Sequence, residues 1–250
     1  MKTKRLIINM MGMLGLVFLT LTFNGCSKDD ASVSPLTNDN AAAKAALIDY
    51  TLTDQFDPAS LILIDSLPND SINQAEIDAL NYMREEELLA HDVYLALSQL
   101  YTKPIFRNIT KSEAVHTDAI RALLEKYQLA DPATNHVAGV FNNPDLQSLY
   151  TLLVSNGSKS QLEGLIVGAT IEDLDIYDLK TRLGGIDNAD IILVLKNLER
   201  GSRNHMRSFY ANILFYKGTY VPQYISQEEF DSIITTPYET GAATGVCIWN

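Results

Sequence analysis

Four long segments of this sequence carry apolar residues at alternating steps of three and four, the spacing that lines one face of an α-helix. They run approximately from residue 74 to 101, 104 to 127, 159 to 183 and 189 to 216. The every-second-residue alternation of a β-strand is nearly absent before the C-terminal tail. Short connections between long amphipathic segments favour a bundle. The sequence therefore predicts an all-α domain, a four-helix bundle over residues 71–235.

Capping and turn residues predict where the helices begin. The predicted N-terminal signals are a capping box from Ser71 to Gln74, Pro104 in a first turn, Ser158 before the third long helix, and Asp187 or Asn188 before the fourth. A short helix from Pro144 to Gly157 is expected as an insertion in the bundle. A C-terminal extension follows, with a helical piece around Glu228 to Ile234.

An acid or an imidazole interrupts each apolar stripe near its middle. The interrupting residues are Glu87 on the first helix, Glu113 and His116 on the second, Glu172 on the third and His205 on the fourth. A buried, unpaired carboxylate costs several kcal/mol, and no Lys or Arg lies on these stripes. A bound metal pair is the simplest neutraliser, and carboxylate with imidazole suits iron or manganese.

Each of these residues also has a plainer interpretation. Glu113 would close a capping box from Thr110 if the second helix began late, although Pro104 favours an earlier start. Glu87 belongs to a run of three glutamates, and such runs are often solvated. His205 could be a hydrogen-bonded core histidine. The sequence leaves these alternatives open.

The N-terminal residues have the order of an export signal, with basic MKTKR followed by an apolar run. FNGC followed by SKDD resembles the cleavage box of a bacterial lipoprotein, in which Cys26 becomes lipidated. A membrane anchor is the alternative, because the run is about long enough to span a bilayer. The predicted organisation is a signal peptide at 1–25, lipidated Cys26 with a flexible tether at 26–70, and a tail at 236–250.

Charge and cysteine content limit the partners. Removal of the signal would take away Lys2, Lys4 and Arg5 and lower the formal charge from −12 to −15. Such an acidic chain argues against nucleic acid as a partner. With Cys26 lipidated only Cys247 remains, which excludes a thiolate metal site. Lipidation of Cys26 would anchor the protein to the bacterial outer membrane. The sequence therefore predicts a membrane-anchored protein that faces the periplasm or the cell surface.

Several motifs in order resemble a known family. They are REEELLAHDVYLAL, NITKSEAVHTDAIRALLEKY, IEDLDIYDL, RGSRNHMRSF and, in the tail, YVPQYISQEEFDSI. Together they resemble the ferritin-like domain-of-unknown-function family numbered 2202, over roughly residues 72 to 235. The spacing of Glu87, Tyr94 and the following Glu-x-x-His is similar to that of the ferritin-like carboxylate proteins, rubrerythrin among them. The resemblance implies a ferritin-like bundle.

The resemblance also implies roles for individual residues. Carried over by position, the metal ligands are Glu87, a bridging Glu113, His116, Glu172, Asp175 and His205, with Tyr94 as a hydrogen-bond donor behind them. Ser202 departs from the pattern, because it stands where a carboxylate would complete a Glu-x-x-His motif on the fourth helix. The centre is therefore expected to be short of one acid.

Two functions follow as expectations. The first is a di-iron centre that reacts with peroxide or oxygen, or oxidises Fe(II); manganese or a single metal are alternatives. No Cys-x-x-Cys of the rubredoxin type is present, so electrons would come from an external donor. The second is a non-catalytic binding or structural lipoprotein with a degenerate or single-metal site. The sequence predicts no oligomeric state.

Overall fold

The structure, a computed structural model, describes residue 67 and residues 70–239. In this part the chain forms α-helices and no strand, which confirms the predicted all-α class. The helices are α1 (Gln74–Leu100), α2 (Pro104–Lys126), α3 (Pro144–Gly157), α4 (Gln161–Leu183), α5 (Ala189–Phe215) and α6 (Gln227–Thr235). The predicted signal peptide, Cys26, nearly all of the tether and the end of the tail lie outside the described residues.

The four long helices form two extensively packed pairs, α1 with α2 and α4 with α5. Contacts of α1 with α4 and of α2 with α5 join the pairs into a bundle. Two contacts show that α1 and α4 are antiparallel: the Arg182 guanidinium lies 3.8 Å from the centre of the Tyr82 ring, and the Tyr94 hydroxyl donates to Glu172. The predicted insertion, α3, packs against α1 and α4, and α6 packs against α5.

The helices begin within a few residues of the predicted positions, but two caps differ. The capping box of α1 joins Asn73 and Glu76 rather than Ser71 and Gln74. The cap of α4 is Ser160 rather than Ser158. In both segments more than one short polar residue precedes the helix. The cap is the residue whose side chain accepts a hydrogen bond from the backbone amide three positions later.

Glu76 also links the beginnings of two helices. Its carboxylate accepts from the backbone amides of Asp187 and Asn188, at 3.1 and 2.8 Å, and from the Asn188 side chain at 2.9 Å. Asn188 precedes α5 without a side-chain cap hydrogen bond of its own. Burial alone would raise the pKa of Glu76, but these amides and that of Asn73 outweigh it and hold the pKa below its usual range.

The apolar core is divided into two clusters by a polar layer. One cluster includes Leu80, Met83 and Leu195, and the other includes Phe106 and Phe209. On α1, α2 and α5 the residues that interrupt the apolar stripes lie between these clusters in sequence, whereas Glu172 on α4 lies between Ile171 and Ile176 of the second cluster. The fold thus buries a layer of ionisable groups inside an apolar bundle, where they need a partner.

None of the helices in the described part of the chain is both long enough and apolar enough to span a membrane.

Candidate metal centre

Four helices each bring an ionisable side chain to the polar layer. Glu87 comes from α1, Glu113 and His116 from α2, Glu172 from α4 and His205 from α5; each is 2% exposed or less. Glu113 and His116 are three residues apart, so they project from one face of α2. The structure therefore brings together the five residues that interrupt the apolar stripes.

These residues form two groups that could hold a metal ion. Glu87, Glu113 and His116 make one group, and Glu113, Glu172 and His205 make the other; in each, the donor atoms lie within 4.8 Å of one another. Glu113 belongs to both groups. Its carboxylate is therefore placed to bridge two cations, one on each side.

Both histidines present Nδ1 to the carboxylates. His116 Nδ1 lies 2.8 Å from Glu113 Oε2 and 3.2 Å from Glu87 Oε2. His205 Nδ1 lies 2.9 Å from Glu113 Oε1 and 3.4 Å from Glu172 Oε2. The two imidazole rings are stacked, with centroids 5.6 Å apart. Nδ1 is therefore the ring atom of each histidine that would bind a cation held by these carboxylates.

The opposite edges of the two rings are fixed by α5 and α2. A Cβ at Gly201 would lie 2.8 Å from Cε1 and Nε2 of His116, so only glycine leaves room for the ring there. His205 Nε2 lies 3.0 Å from Ser112 Oγ. A contact to the second ring nitrogen fixes the orientation of a metal-binding histidine.

The supporting residues Tyr94, Asp175 and Ser202 also reach the layer. The Tyr94 hydroxyl donates to Glu172 Oε1 at 2.5 Å. The Ser202 hydroxyl donates to Asp175 Oδ2, and Asp175 is buried, although it falls at the edge of the predicted stripe. Asp175 Oδ1 and Glu87 Oε1 are buried and have no hydrogen-bond partner in the described part of the chain. A bound cation is a partner that would satisfy such oxygens.

Burial makes three of these carboxyl groups hard to ionise. It raises the pKa of Glu87 to about 7 and that of Glu172 to about 7. It places the pKa of Asp175 well above its usual range, and the facing charges of Glu87 and Glu172 add to the rise. A low-dielectric interior disfavours charge, and neighbouring carboxylates repel one another. A bound cation would reverse both effects.

Glu113 differs from its neighbours because it lies between two imidazoles. Burial would raise its pKa, but His116 and His205 outweigh burial and hold the pKa below its usual range. Burial would likewise lower the pKa of His116, but Glu113 and Glu87 raise it well above its usual range. Glu113 is thus the carboxylate that stays ionised in the layer.

The donor set fits two divalent first-row cations. The carboxylates of Glu87, Glu113, Glu172 and Asp175 carry four negative charges when ionised, which two divalent ions would neutralise. Carboxylate oxygen and imidazole nitrogen are donors that iron, manganese and zinc accept. The buried oxygens without partners and the paired Nδ1 atoms point to the same interior position.

Sequence reasoning missed two residues near the centre. Gly201 carried a signal, since glycine inside a helix often has a packing role. Apolar periodicity singles out Glu87 from its run of three glutamates, but all of Glu85, Glu86 and Glu87 are buried. Their one visible signal was the run of three acids beside an apolar stripe.

The sequence and the fold both have relatives. A family model described as "Uncharacterized protein domain (DUF2202)" matches residues 76–237. "Uncharacterized protein MJ0754" of Methanocaldococcus jannaschii is 50% identical over 178 residues, which are 71% of this chain and 96% of that protein. A crystal structure of hypothetical protein MJ0754 from Methanococcus jannaschii is similar with a TM-score of 0.68, covering 69% of this chain and 99% of that one. The family predicted from the sequence motifs is confirmed, and the chain belongs to the DUF2202 family.

Proposed function

We propose that this protein binds two divalent metal ions, iron foremost, between the long helices of a ferritin-like bundle. The observation that carries the proposal is the position of Glu113. One of its oxygens lies 2.8 Å from His116 Nδ1 and the other 2.9 Å from His205 Nδ1. A buried carboxylate shared by two ligand groups is the arrangement that a bridged metal pair requires.

Each ligand would have a distinct role. Glu113 would bridge the two ions, Glu87 with His116 would hold one, and Glu172 with His205 would hold the other. Tyr94 would restrain Glu172 through its 2.5 Å hydrogen bond, because a carboxylate held from behind keeps its orientation.

Asp175 would take the place of the carboxylate that α5 lacks. Ser202 occupies that position on α5, and its hydroxyl donates to Asp175 from α4. Asp175 Oδ1 has no hydrogen-bond partner among the described residues and is the atom left for a cation. The acid missing from the fourth-helix motif would thus be supplied from the neighbouring helix.

The proposed activity is oxidoreductive. When bound, an iron pair supplies the redox chemistry that reduces peroxide or oxygen, and free Fe(II) is the alternative substrate. The protein itself holds the carboxylate and imidazole side chains in position, and the apolar clusters on either side of them exclude water. Electrons would come from an external donor.

We further propose that lipidated Cys26 anchors the protein to the bacterial outer membrane.

Metal analysis of the full chain tests this function. The chain would be expressed without an affinity tag, purified in detergent and loaded anaerobically with Fe(II). We expect two irons per chain and, after exposure to air, near-ultraviolet to blue absorption from an oxo-bridged ferric pair. Consumption of hydrogen peroxide by the loaded protein, with an added reductant, tests the activity.

The deciding variant is Glu113→Gln, which removes the shared charge while keeping the shape of the side chain. We expect it to lose both irons, because each ligand group includes Glu113. Glu125→Gln is the matched control: Glu125 lies on the same helix, its side chain is 66% exposed and it pairs with Arg121 at the surface. A folded wild-type chain that takes up no metal would refute the proposal.

One observation favours the non-catalytic alternative. Ser202 stands where the fourth helix would carry a carboxylate, and its hydroxyl donates a hydrogen bond to Asp175 in the polar layer. If Asp175 cannot bind a cation while so bonded, the group of Glu87, Glu113 and His116 would hold a single structural ion. One metal per chain without peroxide turnover would support that alternative over the di-iron centre.

A further inference from the structure

Glu86 is a buried acid that the proposed metal centre does not use. Glu86 is 4% exposed, and neither of its carboxylate oxygens accepts a hydrogen bond from a donor group in the described part of the chain. The next residue, Glu87, faces the centre, and a helical step of about 100° turns Glu86 toward a different neighbour. A buried carboxylate with both oxygens unsatisfied is costly unless a ligand completes it.

The register of α1 against α4 shows what Glu86 faces. Tyr82 is one turn before Glu86 on α1, and the Arg182 guanidinium lies 3.8 Å from the centre of its ring. Because the two helices are antiparallel, one turn along α1 from Tyr82 corresponds to one turn back along α4 from Arg182. Glu86 therefore faces Asp178, and Asp175 follows one turn deeper on the same face of α4.

These acids form a series of increasing burial. Asp178 is partly exposed, whereas Asp175 and Glu86 are 6% and 4% exposed and Glu87 is 1% exposed. The charges of Asp178 and Asp175 both act on Glu86, and that of Glu87 acts on Asp175, so successive acids are neighbours. The series therefore connects the partly exposed surface of α4 to the metal centre through carboxylate oxygens.

Electrostatics within the series agree with this geometry. Burial raises the pKa of Glu86 well above its usual range, and the charges of Asp178 and Asp175 add to the rise. Arg182 opposes the rise, but its guanidinium stacks on Tyr82 and its Nε has no hydrogen-bond partner among the described residues. Arg182 therefore leaves the oxygens of Glu86 unsatisfied.

We propose that Glu86 and Asp178 form an outer cation site, which takes a divalent metal ion from solvent and passes it to the metal centre by way of Asp175. The inference rests on the proposed metal centre and deepens it. Two carboxylates and water are a weak, labile set of hard donors, which suits transfer rather than storage. The Arg182 guanidinium, one turn from Asp178, competes with the arriving cation for the carboxylate of Glu86.

Loading kinetics test the outer cation site. The full chain, stripped with a chelator and exchanged into buffer, would be mixed with cobalt(II) chloride in a stopped-flow spectrometer, and binding followed by the visible absorption of bound Co(II). We expect Asp178→Asn and Glu86→Gln to slow loading by about tenfold, because acidic side chains concentrate cations along their approach. The final number of ions in the centre should equal that of the wild type.

Two further variants separate transfer from a structural role. Arg182→Gln should load faster than the wild type, since it removes a like charge from the path. Asp118→Asn is the matched control, because Asp118 is an exposed acid on α2 with a side chain 58% exposed, and it should load at the wild-type rate. A variant that merely loosened the fold would not produce opposite effects at Asp178 and Arg182.

The outcomes separate this inference from the proposed function. If the wild type binds two ions and Asp178→Asn loads at the wild-type rate, the outer cation site is refuted and the metal centre stands. If Arg182→Gln slows loading as Asp178→Asn does, the effect is structural and the inference also fails. If the wild type binds no metal, both fall. Should Glu86→Gln fail to fold, the partly exposed Asp178 decides the question.

Discussion

Three consecutive glutamates with nearly equal burial have different partners. Glu85 Oε1 accepts from the backbone amides of Asn142 and Asn143, at 2.9 and 3.3 Å, and so holds the loop before α3. Glu86 faces α4, and Glu87 lies 3.2 Å from His116 in the metal centre. Successive helical residues point about 100° apart. The partner of each carboxylate is thus set by rotation around α1, and composition alone does not reveal it.

Gly201 offers a test of how tightly the centre is built. Alanine normally stabilises a helix by about 0.5–1 kcal/mol relative to glycine, but here its Cβ would lie 2.8 Å from the His116 ring. We expect Gly201→Ala to displace His116 and lower the metal affinity of its ligand group by about 10- to 100-fold. Isothermal titration calorimetry with Co(II) would measure the loss, and circular dichroism would show unchanged helix content.

The matched control for Gly201 is Gly184 at the end of α4. A Cβ there would meet only the Thr181 carbonyl oxygen, at an ordinary 3.5 Å. Gly184→Ala should therefore bind metal as the wild type does. Wild-type affinity in Gly201→Ala would show that His116 is not a ligand.

At the scale of the helix, α4 carries three neighbouring acids on two of its sides. Glu172 and Asp175 face the centre, while Asp173 is fully buried under the C-terminal extension. Asp173 accepts from the Tyr220 hydroxyl at 2.8 Å and from the backbone amides of Gln223 and Ile225 at 2.5 and 2.9 Å. This carboxylate holds the segment between α5 and α6 against the bundle.

Removing Asp173 should release that segment. Asp173→Ala leaves buried amides and a hydroxyl without an acceptor, so we expect the free energy of unfolding to fall by about 2–4 kcal/mol. Urea denaturation would measure the change, and limited proteolysis should cut between residues 217 and 226. Asp231→Ala is the control, because Asp231 is exposed and among the described residues accepts from Gln227 and Thr235 of its own helix α6; it should change stability by less than about 0.5 kcal/mol. Equal stability of the two variants would contradict this role of Asp173.

The helices and the convergence of their inward acids and histidines were predictable from the sequence, but the contacts of the C-terminal extension were not. Apolar periodicity is a local signal, so it located the four long helices and placed Glu113 and His116 on an inward face. The role of Asp173 depends on a tail that returns to α4 some fifty residues later, and no local pattern encodes that return. The same holds for Arg207, whose partners also come from a distant segment: Ile233 O of α6 accepts from its Nε at 2.8 Å, and Glu239 pairs with its guanidinium at 3.1 Å.

At the scale of the whole molecule, the polar layer is where all four long helices contribute ionisable side chains to the same buried groups. Above and below it, each apolar cluster can be stabilised by packing alone. Within it, the carboxylates of Glu87, Glu172 and Asp175 face one another, and burial resists their ionisation. Without a cation these carboxyl groups repel one another or stay protonated, and with cations the layer would join the two helix pairs more strongly.

Metal removal should therefore lower the stability of the entire bundle. A ligand present at about 100 times its Kd stabilises the native state by about 2.7 kcal/mol, and a domain of this size gains about 2–4 °C in Tm per kcal/mol. We expect a chelator to lower the Tm of the iron-loaded chain by about 5–10 °C in one cooperative transition, measured by differential scanning calorimetry. Glu113→Gln should melt at one temperature with or without chelator, since both ligand groups need that carboxylate. If chelation instead left the wild-type Tm unchanged, the four helices would not be joined by metal, and the apolar clusters alone would account for the fold.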